Sequence, residues 1–175
     1  MIPKIYAHSL PDKPKEEWQP LDEHLQAVAG KAREFASTFS SGDWAYNAGW
    51  LHDLGKADGS FQSYLLRENG LDDSEYDSSG GGRINHSSAG AAFAEKKLKL
   101  SGRILAYLIA GHHAGLPDWY PADTGNAALQ IRLQEGKENL ERIYSQAEKL
   151  LAKLQPLSRP PDFLKKPEDF HLWMR

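Results

Sequence analysis

An imidazole–carboxylate doublet, His52-Asp53, stands in the stretch Trp50-Leu51-His52-Asp53-Leu54-Gly55-Lys56. His24 lies upstream of it, His86 downstream, and a second doublet, His112-His113, further on. The intervals from His24 to His52, His52 to His86 and His86 to His112 are 28, 34 and 26 residues. Imidazole and carboxylate are ligands of borderline divalent metals. One such residue means little, but these five of the seven histidines fall near expected helix ends. With an Asp beside one of them, they argue for a metal centre with two ions. Adjacent helical positions point about 100° apart, so His52 and Asp53 would not serve one ion alike. An Asp between two ions can give one oxygen to each, with the ions about 3.5–4 Å apart.

Each residue also has a plainer reading. His52 can be a helix-end histidine, and Asp53 can pair with Lys56. Lys56 is then a solvated partner of that carboxylate; its functional role would be to neutralise charge on a phosphoryl oxygen. His112 and His113 follow a buried helix whose negative pole favours cations, but core histidines that only hydrogen-bond are common there. His86 at a helix start is weak taken alone. Trp119 and Tyr120 could stack on bases or pack as loop aromatics. His8 and His171 receive no role.

The elements that must position these groups read as helices. One starts near Leu21 or Asp22, just past Pro20, with an apolar stripe of Leu25, Val28, Ala32, Phe35 and Phe39; His24 sits in its first turn. A second runs over 43–54 from the N-cap Asp43, with Gly55 as C-cap. Ser60 caps a short helix over 61–68. Residues 69–84 are polar and Gly-rich and read as a mobile loop. A helix begins around Asn85-His86 and passes through Ala89-Gly90-Ala91-Ala92, small residues that allow close helix approach. Ser101 caps the next, where Ile104, Leu105, Leu108 and Ile109 imply deep burial. Two polar amphipathic helices are expected over 125–135 and 137–154. Residues 1–19 read as loop and 156–167 as a Pro-rich linker. Strand signals are weak throughout, so the expected fold is all-α, a single domain over 1–175 with its core at about 20–155. Residues 168–175 read as the start of a helix cut short.

The composition sets bounds. The 175 residues suit one domain, and 40% hydrophobic content, with five Trp, six Phe and seven Tyr, provides a core. The absence of cysteine rules out thiolate ligands, a thiol nucleophile and a disulfide framework. That is compatible with the cytoplasm, the expected location. No signal peptide and no membrane-spanning run is expected. The net charge of −3 gives no strongly basic face for duplex DNA.

The constellation His24, His52-Asp53, His86 and His112-His113 resembles the HD superfamily of metal phosphohydrolases. Tyr6-Ala7-His8-Ser9, the segment around the His-Asp doublet, Phe61-Gln62-Ser63-Tyr64-Leu65, His86-Ser87-Ser88-Ala89-Gly90-Ala91 and Ala110-Gly111-His112-His113-Ala114-Gly115-Leu116-Pro117-Asp118 narrow it. Together they are similar to the HD nuclease domain of the CRISPR-associated helicase-nuclease of type I interference. The resemblance covers about residues 6–120; 121–175 match only loosely.

The resemblance implies an α-helical HD fold and metal-dependent cutting of single-stranded DNA in antiviral defence. A superfamily 2 helicase, fused or separate, and a CRISPR effector complex are the implied partners. Residue by residue, His24, His52 and Asp53 match the ligands of one ion, with Asp53 bridging; His86, His112 and His113 match those of the other. Lys56 matches the lysine after the doublet and is expected in catalysis with Asp53. Ser87 and Trp119 are expected at the substrate. The family adds an aspartate to the first ion from a later helix. Asp118 and Asp123 come too early for it, and Asp162 and Asp169 lack the expected surroundings.

The nitrogen-rich set suits Mn²⁺, Fe²⁺, Co²⁺ or Ni²⁺, with Mg²⁺ as a further candidate. The cations would lower the pKa of a water for in-line attack on a phosphodiester. Two other functions fit the same ligands. One is a cyclic-dinucleotide phosphodiesterase of the HD-GYP kind, although Gly115-Leu116-Pro117 stands where Gly-Tyr-Pro is expected. The other is an inactive metal-binding docking module. No Walker motif is present, so ATP-driven unwinding is not expected of this chain.

Overall fold

A computed structural model describes residues 4–71, 85–113 and 115–156. The fold is mostly helical, as the periodicity implies. The helices are α1 (Leu21–Ser37), α2 (Gly42–Leu51), α3 (Gly59–Glu68), α4 (Ser88–Gly111), α5 (Pro121–Thr124) and α6 (Leu129–Leu151). Residues 1–19 are not wholly loop. Tyr6–His8 (β1) pairs antiparallel with Gln19–Pro20 (β2), forming a two-stranded ribbon in front of α1.

The core gathers between α1, α2, α4 and α6. It includes the fully buried Leu25, Ala29, Trp50, Leu51, Leu54, Leu105, Ile109, Leu129 and Ile143. On α1 the buried face is Leu21, Leu25, Ala29 and Ala36. The expected stripe is therefore rotated. Phe35 is 72% exposed because the 3.6-residue period carries the inner face to Ala36 instead, and Phe39, past the end of α1, is 59% exposed. Leu108, expected to be buried, is also exposed.

Two expected helix breaks are absent. The span 125–154 holds one long helix, α6 (Leu129–Leu151), rather than two, preceded by a 3-10 turn (Gly125–Ala127). Leu129, Leu133, Gly136, Leu140, Ile143, Ala147 and Leu150 line its buried face at alternating steps of four and three. That stripe runs through Gly136, which is a contact point: a Cβ there would overlap the Ser88 carbonyl of α4. Helical pairing likewise continues through Ser88–Gly111. The break expected at Ser101 becomes a sharp bend. A Cβ on Gly102 would overlap the Ala94 carbonyl, eight residues earlier, whereas a straight helix separates such positions by about 12 Å. Arg103 reaches back across the bend to Glu95, Nη2 to Oε1 at 3.5 Å. The bend lets one element carry site residues at both of its ends.

Other boundaries shift for identifiable reasons. α3 is capped by Asp58, whose carboxylate accepts the Ser60 N–H at 2.8 Å, so Ser60 itself is not the cap. α4 begins at Ser88, where Asn85 accepts its backbone N–H at 3.3 Å and donates to its hydroxyl at 2.6 Å. The far end of α6 is tied to α2. Asn47 exchanges hydrogen bonds with the Gln155 backbone at 2.8 and 3.0 Å, and the Trp50 indole donates to Leu150 O. Residues 157–175, where the rest of a linker and a final helix were expected, lie outside the described residues, with His171, Asp162 and Asp169, as does most of the expected 69–84 loop.

Among the described residues, no helix is long and apolar enough to cross a membrane.

Candidate metal centre

α2 ends at Leu51 and His52 follows as its C-cap, so the helix stops three residues earlier than expected. Asp53 lies past the helix at φ −115°, ψ 19°, and Leu54–Ala57 form a 3-10 turn. The doublet therefore does not splay by a helical step. His52 Nε2 comes to 3.2 Å from Asp53 Oδ2, both turned into one centre. Gly55 is not a left-handed cap. Its N–H donates to His86 O at 3.0 Å, and a Cβ at this position would overlap that carbonyl. The missing side chain is what lets the turn after the doublet seat against His86.

Five imidazoles and one ammonium surround the Asp53 carboxylate, whose side chain is 5% exposed. On one oxygen, Oδ2, His24 Nε2 stands at 3.0 Å, His52 Nε2 at 3.2 Å and Lys56 Nζ at 2.9 Å. On the other, Oδ1, His86 Nε2 stands at 3.3 Å and His112 Nε2 at 3.5 Å. His113 Nε2 is 2.8 Å from His86 Nε2. All six sequence-expected ligands thus converge. His24 comes from the first turn of α1, His52 and Asp53 from the end of α2, His86 from just before α4, and His112 and His113 from just after it.

The centre fits a divalent cation on two grounds. His52 Nδ1 and His112 Nδ1 lie 2.7 Å from Gly49 O and Ile109 O. A carbonyl only accepts, so each Nδ1 carries a proton, and unless Nε2 carries a second one its lone pair faces the carboxylate. Lone pairs facing lone pairs require a cation between them, either a proton or a metal. Second, Asp53 Oδ1 is buried and makes no hydrogen bond of full geometry among the described residues. Donors bound about 2.1 Å from one ion at 90–110° lie roughly 3.0–3.4 Å apart, which is the spacing found around this carboxylate.

The electrostatics agree. Burial would raise the Asp53 pKa, but hydrogen bonds from His112, His24 and His52 outweigh it and hold the carboxyl far below its usual range. For His112, burial pulls the pKa down, while Asp53 and the Ile109 carbonyl lift it above 6.5.

Lys56 departs from the reading as a solvated partner. It is 5% exposed. An ammonium has three donors, and here they meet Asp53 Oδ2 at 2.9 Å, Ala7 O at 3.1 Å and His8 Nε2 at 3.3 Å. None is left over for a phosphoryl oxygen. Ser87 is buried and donates to Asn85 Oδ1 at 3.3 Å. Trp119 packs on the core beside Tyr107, with the Arg103 guanidinium 4.1 Å from its ring centre. Both residues expected at the substrate are engaged in packing.

Sequence reasoning missed His8. It ends β1 and forms a second ligand-type group with His24 and Asp53, whereas Asp53, His86, His112 and His113 form the first. Burial, then the Lys56 ammonium, keeps the His8 pKa below 6.5. The signal lay in the Tyr-Ala-His-Ser and Phe-Gln-Ser-Tyr segments. Gln62 clasps the backbone of Tyr6 as a neighbouring strand would, accepting from its N–H at 3.0 Å and donating to its carbonyl at 2.9 Å. The same amide donates to Lys56 O at 2.7 Å. Asp53 is the sole acid in both groups among the described residues. Asp118 lies in the loop before α5, its carbonyl accepting from Leu129 N.

A family model described as Cas3, HD domain, matches residues 9–174. The chain belongs to the Cas3 HD domain family. The resemblance carried by its histidine-rich segments is thereby shown, and the match extends through residues 121–174, which resemble that family only loosely by eye. A search of the curated proteins gave no match. Cas3 HD membership supports a metal-dependent nuclease role in CRISPR. HD domains bind divalent metals, and the cluster around Asp53 could hold one.

Proposed function

We propose that this chain is a two-ion phosphodiesterase that cuts single-stranded DNA during CRISPR type I interference, beside a superfamily 2 helicase and an effector complex. The cytoplasm is its expected location. The observation that carries this reading is a single buried carboxylate with a set of imidazoles on each oxygen. Asp53 would bridge, one ion being held by Oδ2 with His24 and His52 and the other by Oδ1 with His86, His112 and His113. Bound there, divalent cations would supply the Lewis acidity that makes water a nucleophile near neutral pH and neutralises charge on the scissile phosphate. Mn²⁺, Fe²⁺, Co²⁺ and Ni²⁺ suit five nitrogen donors better than Mg²⁺ does.

The chain's own residues contribute order. The Gly49 and Ile109 carbonyls fix the tautomers of His52 and His112 and aim their Nε2 atoms inward. Lys56 compensates the Asp53 charge and ties β1 to the centre, in place of the phosphate contact expected from sequence. His112 and His113 are the exposed members, so the scissile phosphate approaches over the end of α4.

The test is cleavage of labelled single-stranded DNA with Mn²⁺, against cyclic dinucleotides and nucleotide monophosphates as competing substrates. EDTA and Asp53→Ala should each abolish cleavage. Cleavage that persists in excess EDTA defeats the mechanism. A wild-type protein that binds no metal and cuts nothing in added Mn²⁺ leaves the inactive docking module instead.

A further inference from the structure

One ring nitrogen of His8, one of His24 and an Asp53 oxygen lie within 4.8 Å of one another. We propose that His8 is a protein ligand of the ion on the Oδ2 side of Asp53, joining His24 and His52. This rests on the two-ion reading above.

The first support is the donor count. Among the described residues the Oδ1 side has three imidazoles, His86, His112 and His113; the Oδ2 side has two without His8 and three with it. With His8, each side would offer an ion three imidazole nitrogens and one carboxylate oxygen, a set that four-coordinate sites use.

The second is reach. Two ligands of one four-coordinate ion at about 2.1 Å are about 3.4 Å apart. The three atoms already lie within 4.8 Å of one another, so closing to that span takes at most about 1.4 Å, which a change of the His8 side-chain torsions supplies. The His8 ring already stands edge-on to the His24 ring, centroids 4.8 Å apart.

The third is how His8 is held. Its Nε2 accepts from the Lys56 ammonium at 3.3 Å, so the lone pair is already aimed at a cation. Lys56 keeps Asp53 Oδ2 and Ala7 O as acceptors, and can release the imidazole without losing all its partners. β1 is fixed from three directions: pairing with β2, the Gln62 clasp on Tyr6 and Lys56 on Ala7 O. That is more anchoring than a three-residue strand needs merely to cover α1, and it fixes the residue at its end.

Calorimetric titration of the full chain with Co²⁺, read together with the visible Co²⁺ spectrum, tests this without reference to cleavage. Wild type should bind two ions. His8→Phe, which keeps a ring but has no lone pair, should leave one site unchanged and weaken the other at least about 10- to 100-fold, the scale seen even for outer-shell changes. His8→Glu, which restores a donor of similar reach, should recover most of the affinity. Melting in EDTA checks that both variants fold. A His8→Phe titration and spectrum that overlay the wild type overturn the proposal, as does weakening that His8→Glu fails to reverse. A wild type that binds fewer than two ions overturns both this proposal and the two-ion reading.

Discussion

The two sides of the Asp53 carboxylate are built differently. The Oδ1 side draws its imidazoles from the two ends of α4, a single bent helix, and its oxygen is a buried acceptor without a full hydrogen bond among the described residues. The Oδ2 side is assembled from β1, the start of α1 and the end of α2, and it already holds an ammonium at 2.9 Å. The first side is an anionic acceptor waiting for a cation. The second is partly neutralised, and an incoming ion has to share its oxygen with Lys56. On the proposed two-ion reading, the ions should therefore bind with unequal affinity, the tighter on the Oδ1 side.

The largest effect should come from the atom pair that the sides share. Asp53→Asn keeps the shape but removes the charge and one acceptor. Both sites should go, and cleavage should fall by about 10³-fold or more, several kcal/mol of transition-state stabilisation. Cobalt titration and a cleavage assay read the two losses. One site surviving at wild-type affinity would show that the carboxylate is not shared.

Gly55→Ala should be next, and it should strike one side. The new Cβ collides with the His86 carbonyl and pushes His86 off Oδ1, while His24 and His52 are untouched. Overpacking costs about 1–3 kcal/mol of stability, and a displacement near 1 Å at a reacting centre costs on the order of 10²-fold in rate. The weaker of the two cobalt sites should be spared and the tighter one lost. Equal loss of both would break the asymmetry.

Gln62→Ala should do the reverse at a smaller scale. It removes three hydrogen bonds, to Tyr6 N, Tyr6 O and Lys56 O, at about 1 kcal/mol each. β1 loosens, and with it His8 and the Lys56 contact to Ala7. Melting should shift down by several degrees, and the Oδ2-side affinity should fall while the Oδ1 side holds. A lowered melting point with both affinities intact would confine Gln62 to stability.

These contrasts separate what was legible in the sequence from what was not. The convergence of His24, His52, Asp53, His86, His112 and His113 was readable because few residue types bind metals and these stand near expected helix ends. The helix phase of α1 was misread because Phe35 and Phe39 look like core, yet the small Ala29 and Ala36 occupy the inner face. The helix breaks expected between 135 and 137 and at Ser101 are absent, and at Gly136 and Gly102 the missing side chains admit a neighbouring carbonyl instead. Glycine frequency cannot distinguish a break from a close approach; the partner backbone decides, and it is remote in sequence. His8 was passed over for the same reason. Its position depends on Gln62 and Lys56, about fifty residues away, and a three-residue strand has no periodicity to announce it.

Acidity gives the smallest effect. On the Oδ1 side His112 has a raised pKa through its contact with Asp53, so below 6.5 a proton can hold the place of a cation there. In metal-free protein that protonated pair contributes stability which is fully present below 6.5 and is lost as pH rises through the folded value. Asp53, with its depressed pKa, stays charged throughout and contributes no slope above about pH 5. In EDTA the wild-type melting temperature minus that of His112→Gln should therefore fall modestly between pH 6 and pH 8, a difference in which the opposite slope from the lowered His8 pKa cancels. With Mn²⁺ the proton and the metal compete for His112, so binding strengthens over the same interval. The stabilisation by Mn²⁺, read as loaded minus metal-free melting temperature, should grow from pH 6 to pH 8 in the wild type. In His112→Gln, where that exchangeable proton is gone, the growth should shrink. An undiminished increase would move the titrating group off the Oδ1 side, and with it the distinction between a side closed by a lysine and a side closed by a proton.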